Sequence, residues 1–283
     1  MDVLEIERED GDRLKVTLRR FLRDHRFSTP EHVAHEYDIL RLIETAGIAA
    51  PRPLLLDAEG TYFGAPAMVL SYIPGRPLYM PRDAPAWAEQ LARALHTVHA
   101  VTSDRYDLSK LSVHLVDGMR EQLAGRAEAA SAHGRLAGQV HAALTQDLDR
   151  IAWPEPCLVH DDYWPGNTVW YRDRPAGIAD WTAAELGDPR ADVAQCRVDV
   201  TISLGGGEAD VFLEAYQRLA PKPPSDVWYF DLFRGLACLL YYERWLEGYH
   251  DAGLTHLTPS LIRSRLDVFL RRALDERRQR GQP

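Results

Sequence analysis

Apolar and polar positions alternate along "VLEIERE" and "RLKVTLRRF", and the alternation predicts two strands joined as a hairpin across Asp10-Gly11-Asp12. The period then lengthens. Val33, Glu36, Tyr37, Leu40 and Ile43 recur at helical spacing, after Thr29 as a cap and Pro30 in the first turn, and before Gly47 as a stop. Glu36 falls on the inward stripe of that helix, where a carboxylate needs a partner. "PRPLLLD", a turn at Glu59-Gly60 and "PAMVLSY" give two more strand candidates, and "IPGRP" at Ile73 to Pro77 breaks the pattern as a connector. Beyond it the chain reads as helical. Trp87, Leu91, Leu95, Val98 and Val101 share one face, and further helices are expected over 115–130, 135–151, 209–219, 224–249 and 259–278. One β-like island interrupts them from Cys157 to Trp181, two short strands around a turn at Asp173 to Pro175. The expected architecture is α+β in two lobes with a cleft: a small β-rich lobe over 1–73 and a large helical lobe over 74–283.

Composition narrows the function classes. The 283 residues suffice for two lobes, and the 46% hydrophobic and 27% charged fractions are those of a soluble globular protein. No apolar run approaches the length of a membrane span, and "MDVLEIERED" lacks the basic and apolar order of a signal peptide, so no membrane partner is expected. Cys157, Cys196 and Cys238 are odd in number and widely spaced, which points to a reducing cytoplasm rather than a disulfide framework. The net charge of -9 argues against a nucleic-acid partner. It leaves a small cationic ligand as a candidate beside the plainer reading that the acid keeps the chain soluble.

The chemistry concentrates in "LVHDDYWPGN". His160, Asp162 and Asn167 follow H-x-D-x-x-x-x-N, the spacing of a kinase catalytic loop, and Asp180 follows in "GIADW" across the expected hairpin. A hairpin brings its ends together, so Asn167 and Asp180 can face one metal. Phosphoryl transfer needs such a set: one carboxylate to orient and deprotonate the attacking hydroxyl, and hard oxygen donors to hold Mg²⁺ on the phosphates.

The segments "HDDYWPGN…IADW…LGDPRADVA" resemble the phosphotransferase family of aminoglycoside kinases and their choline- and homoserine-kinase relatives, from "LKVTLRRF" to the final helices. The resemblance implies a protein-kinase-like fold, with 1–73 as nucleotide-binding lobe and 74–283 as catalytic and substrate-binding lobe. It implies ATP and Mg²⁺ as cofactors, and as substrate a small hydroxylated molecule. Carried over residue by residue, Asp162 would be the catalytic base, His160 would brace the loop, and Asn167 and Asp180 would be the Mg²⁺ ligands. Arg19 would contact phosphate with Glu36 as its ion-pair partner, Ser71, Tyr72 and Ile73 would receive the adenine, and Asp188 and Asp192 would be structural.

Two departures stand out. Asp161 occupies the family's usual glycine position, where its charge either raises the proton affinity of the base or points to solvent. The chain also begins at about the family's second strand, and the glycine-rich loop would lie upstream. Either the start is placed late, or this member handles nucleotide with a shortened lobe. Two other readings remain open: a pseudokinase-like binding module, and a metal-dependent phosphohydrolase using His160-Asp161 as a metal pair. Trp164, Trp170 and the aromatic run "WYFDLF…LLYYERW" read as packing, and Glu243 and Glu247 as solvated positions; Arg19 and Arg20 are both open to reading as solvated strand residues, with Arg19 favoured for the phosphate.

Overall fold

The computed structural model describes residues 1–7, 10–22, 28–113, 116–220 and 222–280. It is a two-lobed, protein-kinase-like α+β fold with a small antiparallel sheet in the N-lobe and a helical C-lobe. The chain forms two compact units, Met1–Pro77 with Asn167–Ala184, and Leu78–Gly166 with Glu185–Pro283.

In the first unit β1 (Asp2–Glu7) and β2 (Arg13–Arg20) form the expected antiparallel pair, from Asp2↔Leu18 to Glu7↔Arg13. Arg8 and Glu9 of the expected hairpin lie outside the described residues. Helix α1 (Pro30–Thr45) starts where the cap signals put it: the Thr29 hydroxyl accepts from His32 N, and Pro30 fills the first turn, where its missing N–H costs nothing. Gly47, at a φ of 72°, carries the chain away. β3 (Pro53–Asp57) and β4 (Ala67–Ser71) complete a four-stranded sheet in the order β1-β2-β4-β3. The turn between them is tied by Asp57, whose carboxylate accepts from the amides of Thr61, Tyr62 and Phe63.

The connector contributes structure of its own. Arg76–Pro77 is a short strand, β5, paired with the hairpin β7 (Thr168–Tyr171) and β8 (Arg174–Ile178). The hairpin turns one residue earlier than expected, at Arg172-Asp173, both left-handed with φ of 50° and 60°. That pair of conformations matches the native strand twist, and a register shift at Val169/Trp170 absorbs Pro175.

In the second unit α2 (Ala84–His99), capped by Asp83, presents Trp87, Leu91, Leu95 and Val98 to the core. Helices α3 (Val116–His133) and α4 (Arg135–Asp147) follow, and Leu115 of the expected α3 lies outside the described residues. β6 (Cys157–Val159) pairs with β9 (Glu185–Gly187), and α5 (Pro189–Ser203) leaves β9 directly. Sequence periodicity does not predict α5. It is enclosed nearly all round, from Val193 and Ala194 to Asp199 and Ser203, so its residues show no apolar stripe and no polar face. Helix α6 (Gly206–Leu219) packs with α2. The helix expected over 224–249 is broken: α7 (Val227–Tyr241) gives way to a 3-10 turn at Tyr242–Arg244, closed by Trp245 N on Tyr242 O at 3.0 Å, before α8 (Leu246–Asp251). The final helix α9 (Pro259–Arg280) packs on α7, and no described helix is long and apolar enough to cross a membrane.

Two expectations follow. Gly75 has a φ of 125°, and a Cβ there would collide with the Trp170 carbonyl oxygen. Gly75→Ala should therefore cost roughly 2–4 kcal/mol through backbone strain and overpacking, read as a Tm drop on the order of 10 °C, and an unchanged Tm would refute the close approach. The second concerns Asp199, buried in α5, where burial pushes its carboxyl up to about 6 against the hydrogen bonds donated by Tyr249 and Gln195. A raised carboxyl contributes stability that is full below its ordinary value and is lost as pH rises through about 6. The Tm of Asp199→Asn relative to wild type should accordingly become more favourable between about pH 4 and about pH 7. A pH-independent difference would contradict the burial account.

Candidate functional site

The acidic loop leaves β6 at full burial. His160 is wholly enclosed, its backbone N–H donates to Asp192 Oδ2 at 2.7 Å, and its Nδ1 accepts from Asp162 N at 3.3 Å. The next backbone N–H, of Asp161, donates to Asp192 Oδ1 at 2.8 Å. Asp192 thus grips two consecutive amides from the first turn of α5, where the helix dipole favours a carboxylate. Burial alone would raise that carboxyl, but the His99 imidazole and the His160 amide bring it below the ordinary carboxylate range. His99 Nε2 lies 3.1 Å from Asp192 Oδ2, and its Nδ1 lies 2.6 Å from the Tyr216 hydroxyl. Asp188 caps α5 through Arg190 N and holds the Arg190 guanidinium, which also reaches the carbonyls of Ala152 and Ser225.

Asp161 resolves one open question. Its φ of 59° is the left-handed conformation in which glycine is easiest and aspartate is tolerated. Its carboxylate is paired with Arg234 of α7, so it neither points freely to solvent nor faces Asp162 as an uncompensated charge. Asp162 follows, half-buried. Trp164 packs between Tyr79 and Tyr249, with ring centroids 5.8 Å from each, and a Cβ at position 166 would collide with its indole. Gly166 is therefore the residue that lets the loop pass its own tryptophan.

Asn167 ends the 3-10 turn Pro165–Asn167, and its carbonyl accepts from Ala179 N at 2.8 Å. With Thr168 paired to Ile178, this bond closes the hairpin mouth and sets Asp180 just beyond it. Asp180 is left-handed, with a φ of 63°, and its side chain remains about half exposed (47%). Arg19 reaches across from β2. Its Nη1 donates to Glu36 Oε1 at 2.6 Å, and its Nη2 donates to Asp180 Oδ1 at 2.9 Å. The Thr182 hydroxyl accepts from Arg19 Nη2 at 3.0 Å and lies 2.8 Å from Asp180 Oδ1 and 3.1 Å from Glu36 Oε2. Glu36 is 2% exposed; burial raises its carboxyl, opposed by the Arg19 charge.

At the end of β4, Ser71 N donates to Arg52 O at 2.9 Å, its hydroxyl accepts from Arg52 N, and Tyr72 N reaches Lys15 O at 3.4 Å. The amides of Ser71 and Tyr72 are thus already engaged, whereas the Ile73 amide makes no hydrogen bond among the described residues.

A Mg²⁺ ion carried by such a set takes hard oxygens, one or two carboxylates and several waters. The Asn167 amide and the half-exposed Asp180 carboxylate, on the two sides of one closed hairpin mouth, fit that donor chemistry. Among the described residues no three of His, Cys, Asp and Glu form a metal cluster. The burial of His160 and the commitment of Asp161 to Arg234 disfavour their use as a metal pair. Sequence reasoning missed Thr182, two residues after Asp180, and His99 and Arg234, which lie far from the loop in sequence and carry no local signal.

Comparison with known proteins agrees in fold and family. A macrolide 2'-phosphotransferase from Brachybacterium faecium matches with a TM-score of 0.60 at 20% identity, over 91% of this chain and 88% of that one. An aminoglycoside phosphotransferase of Streptomyces rimosus, solved in complex with ADP and streptomycin, matches with a TM-score of 0.56 at 15% identity, over 84% of this chain and 92% of that one. The mouse acyl-CoA dehydrogenase family member 10 is 24% identical in an alignment 276 positions long, which covers 83% of this chain and only 25% of that much longer protein. Residues 4–228 match the phosphotransferase enzyme family, which is most of the chain. The chain belongs to that family.

Proposed function

We propose that the chain is a kinase that transfers the γ-phosphate of ATP to a hydroxyl of a small molecule. The observation that carries this reading is the cluster of Arg19, Glu36, Asp180 and Thr182, with separations of 2.6 and 2.9 Å from one guanidinium to two carboxylates. Phosphoryl transfer in protein kinases depends on a cation paired to a helix glutamate together with a metal-binding aspartate, and this cluster supplies both in one contact set. Arginine does so with two separate nitrogens, which a lysine ammonium would have to share.

Asp162 would accept the proton of the acceptor hydroxyl as its oxygen bonds to the γ-phosphorus and the bond to the β-phosphate oxygen breaks, releasing ADP. His160 and Asp192 hold the backbone on which Asp162 sits, so its carboxylate is aimed before substrate arrives. Asn167 and Asp180 would hold Mg²⁺, which when bound offsets the charge of the phosphates. Arg19 would contact a phosphate, with Glu36 keeping it extended. Among Ser71, Tyr72 and Ile73, the Ile73 amide is the donor left for adenine. Three buried free cysteines accord with the reducing cytoplasm.

Asp162→Asn should keep Mg-nucleotide binding and lower turnover by roughly 10²–10⁴-fold on an acceptor found in a panel of small alcohols. Wild-type turnover in this variant would remove Asp162 as the base. A binding protein without transfer would show nucleotide affinity and no phosphorylated product in the same assay. Asp180→Ala should weaken Mg-ATP binding itself, because it removes a charged oxygen donor and leaves Arg19 with one carboxylate fewer. Calorimetric titration with and without Mg²⁺ checks this, and equal Mg-ATP affinity in both proteins would sink the metal assignment.

A further inference from the structure

Asp199 of α5 is a buried carboxylate whose charge works against the fold. Among the described residues no cation bonds to it. Its partners are two neutral donors, the Tyr249 hydroxyl 2.5 Å from Oδ1 and the Gln195 amide 2.6 Å from Oδ2. Burial pushes its carboxyl up to about 6, and those hydrogen bonds and the charge of Arg234 oppose the rise only in part. At neutral pH the core therefore holds an ion where a neutral group would leave it more stable. An asparagine offers an oxygen to the same hydroxyl without the charge. A charge retained against stability points to a use beyond core packing.

What the charge holds lies beside the loop. Tyr249 is buried, and its ring stands at 86° to the Trp164 indole with centroids 5.8 Å apart. Tyr79 packs on the same indole, also at 5.8 Å. The loop itself supplies the third contact: a Cβ on Gly166 would stand 2.1 Å from an indole carbon. Trp164 therefore cannot shift without displacing the chain around it, and Asp162 is two residues earlier in that chain. Direct contacts thus run from the Asp199 carboxylate through the Tyr249 hydroxyl and ring to the indole and the loop. A hydroxyl bonded to an ionised acceptor is held roughly twice as strongly as one bonded to a neutral acceptor. The hold on Tyr249 follows the charge of Asp199.

We propose that Asp199 and Tyr249 position the loop from Asp161 to Gly166: the ionised carboxylate fixes Tyr249, Tyr249 fixes Trp164, and a proton on Asp199 loosens the set. Both act through Trp164, so they are positioning residues and not catalytic ones. The groups facing Asp199 are Tyr249 of α8, Arg234 and Cys238 of α7, Tyr79 before α2, and Gln195 and Cys196 on its own helix. Burial raises both thiols and both tyrosine hydroxyls, and Arg234 keeps its proton against burial because Asp161 pairs with it. Of this set Asp199 is the one that changes charge near neutrality. It is ionised, and the loop firmly held, above about 6; the hold weakens as pH falls through that value. The consequence for turnover rests on the kinase reading, but the link from Asp199 to Trp164 does not.

The experiment follows the full chain, without nucleotide, by NMR. The indole N–H resonance of Trp164 is identified by its loss in Trp164→Phe. It is then tracked from about pH 5 to about pH 8 in wild type, Asp199→Asn and Tyr249→Phe, each first shown to be folded by circular dichroism. In wild type the resonance should move with a midpoint of about 6. Asp199→Asn should abolish that step, and so should Tyr249→Phe, which keeps the ring and removes the hydroxyl. On an acceptor found in the alcohol panel, the same midpoint should appear as an acid limb in kcat with an unchanged KM for Mg-ATP. Both variants should lose that limb and turn over roughly 10- to 100-fold below the wild-type plateau, the worth of a small misplacement of a reacting group. An indole that does not titrate in wild type, or that titrates unchanged in Tyr249→Phe, would overturn the proposal, as would a full-rate plateau in folded Tyr249→Phe. The NMR step without phosphate transfer to any acceptor would support the link and overturn the kinase reading instead.

Discussion

The helical unit depends on one buried carboxylate. Asp192 accepts the amides of His160 and Asp161 and the imidazole of His99, so three donors that would otherwise be orphaned in the core are satisfied by two oxygens. A buried amide without an acceptor costs about 1–3 kcal/mol, so the loop is not free to adopt another path. The carboxylate in turn exists as an anion at full burial because those donors and the start of α5 stabilise it. From this grip follow the left-handed turn at Asp161, its pairing to Arg234, and the placement of Asp162 at the half-buried rim.

The first unit solves a different problem. Arg19 must sit beside a sheet and an enclosed glutamate without closing off Asp180, and it does so by dividing its fork between them, with Thr182 bridging. Glu36 is nearly fully buried, so its charge is tolerable only because Arg19 faces it. Asp180, although paired to Arg19, keeps about half of its side chain in solvent.

Much of this was legible in the sequence, and the gaps have physical causes. The apolar inward position of Glu36 announced a partner, and the D-x-x-x-x-N spacing with a later Asp marked the loop and the hairpin. Helix α5 was invisible because a helix enclosed on all sides has no amphipathic period, although Asp188-Pro189 carried a capping signal. The connector "IPGRP" read as irregular because its two-residue strand is too short for alternation to register and is defined by its partner β7. The hairpin 167–184 groups with the first unit although it falls inside the expected helical stretch, since grouping follows pairing and not chain order. The contacts of His99 and Arg234 with the loop were not legible for the same reason: each is made across dozens of residues, and nothing local distinguishes a helical arginine facing the core from one facing water.

Amide hydrogen exchange of the loop, compared between wild type and Asp192→Asn, tests the central claim most directly. In wild type the His160 and Asp161 amides should exchange slowly, at the level of the surrounding core, because each is held by a buried carboxylate oxygen. Asparagine presents one oxygen and one amide group, so at least one of the two bonds is lost. Protection should fall at positions 160 and 161 while the amides of α2 and α7 keep theirs. Unchanged protection at both positions in a folded Asp192→Asn protein would contradict the account, because something other than Asp192 would then be holding the loop.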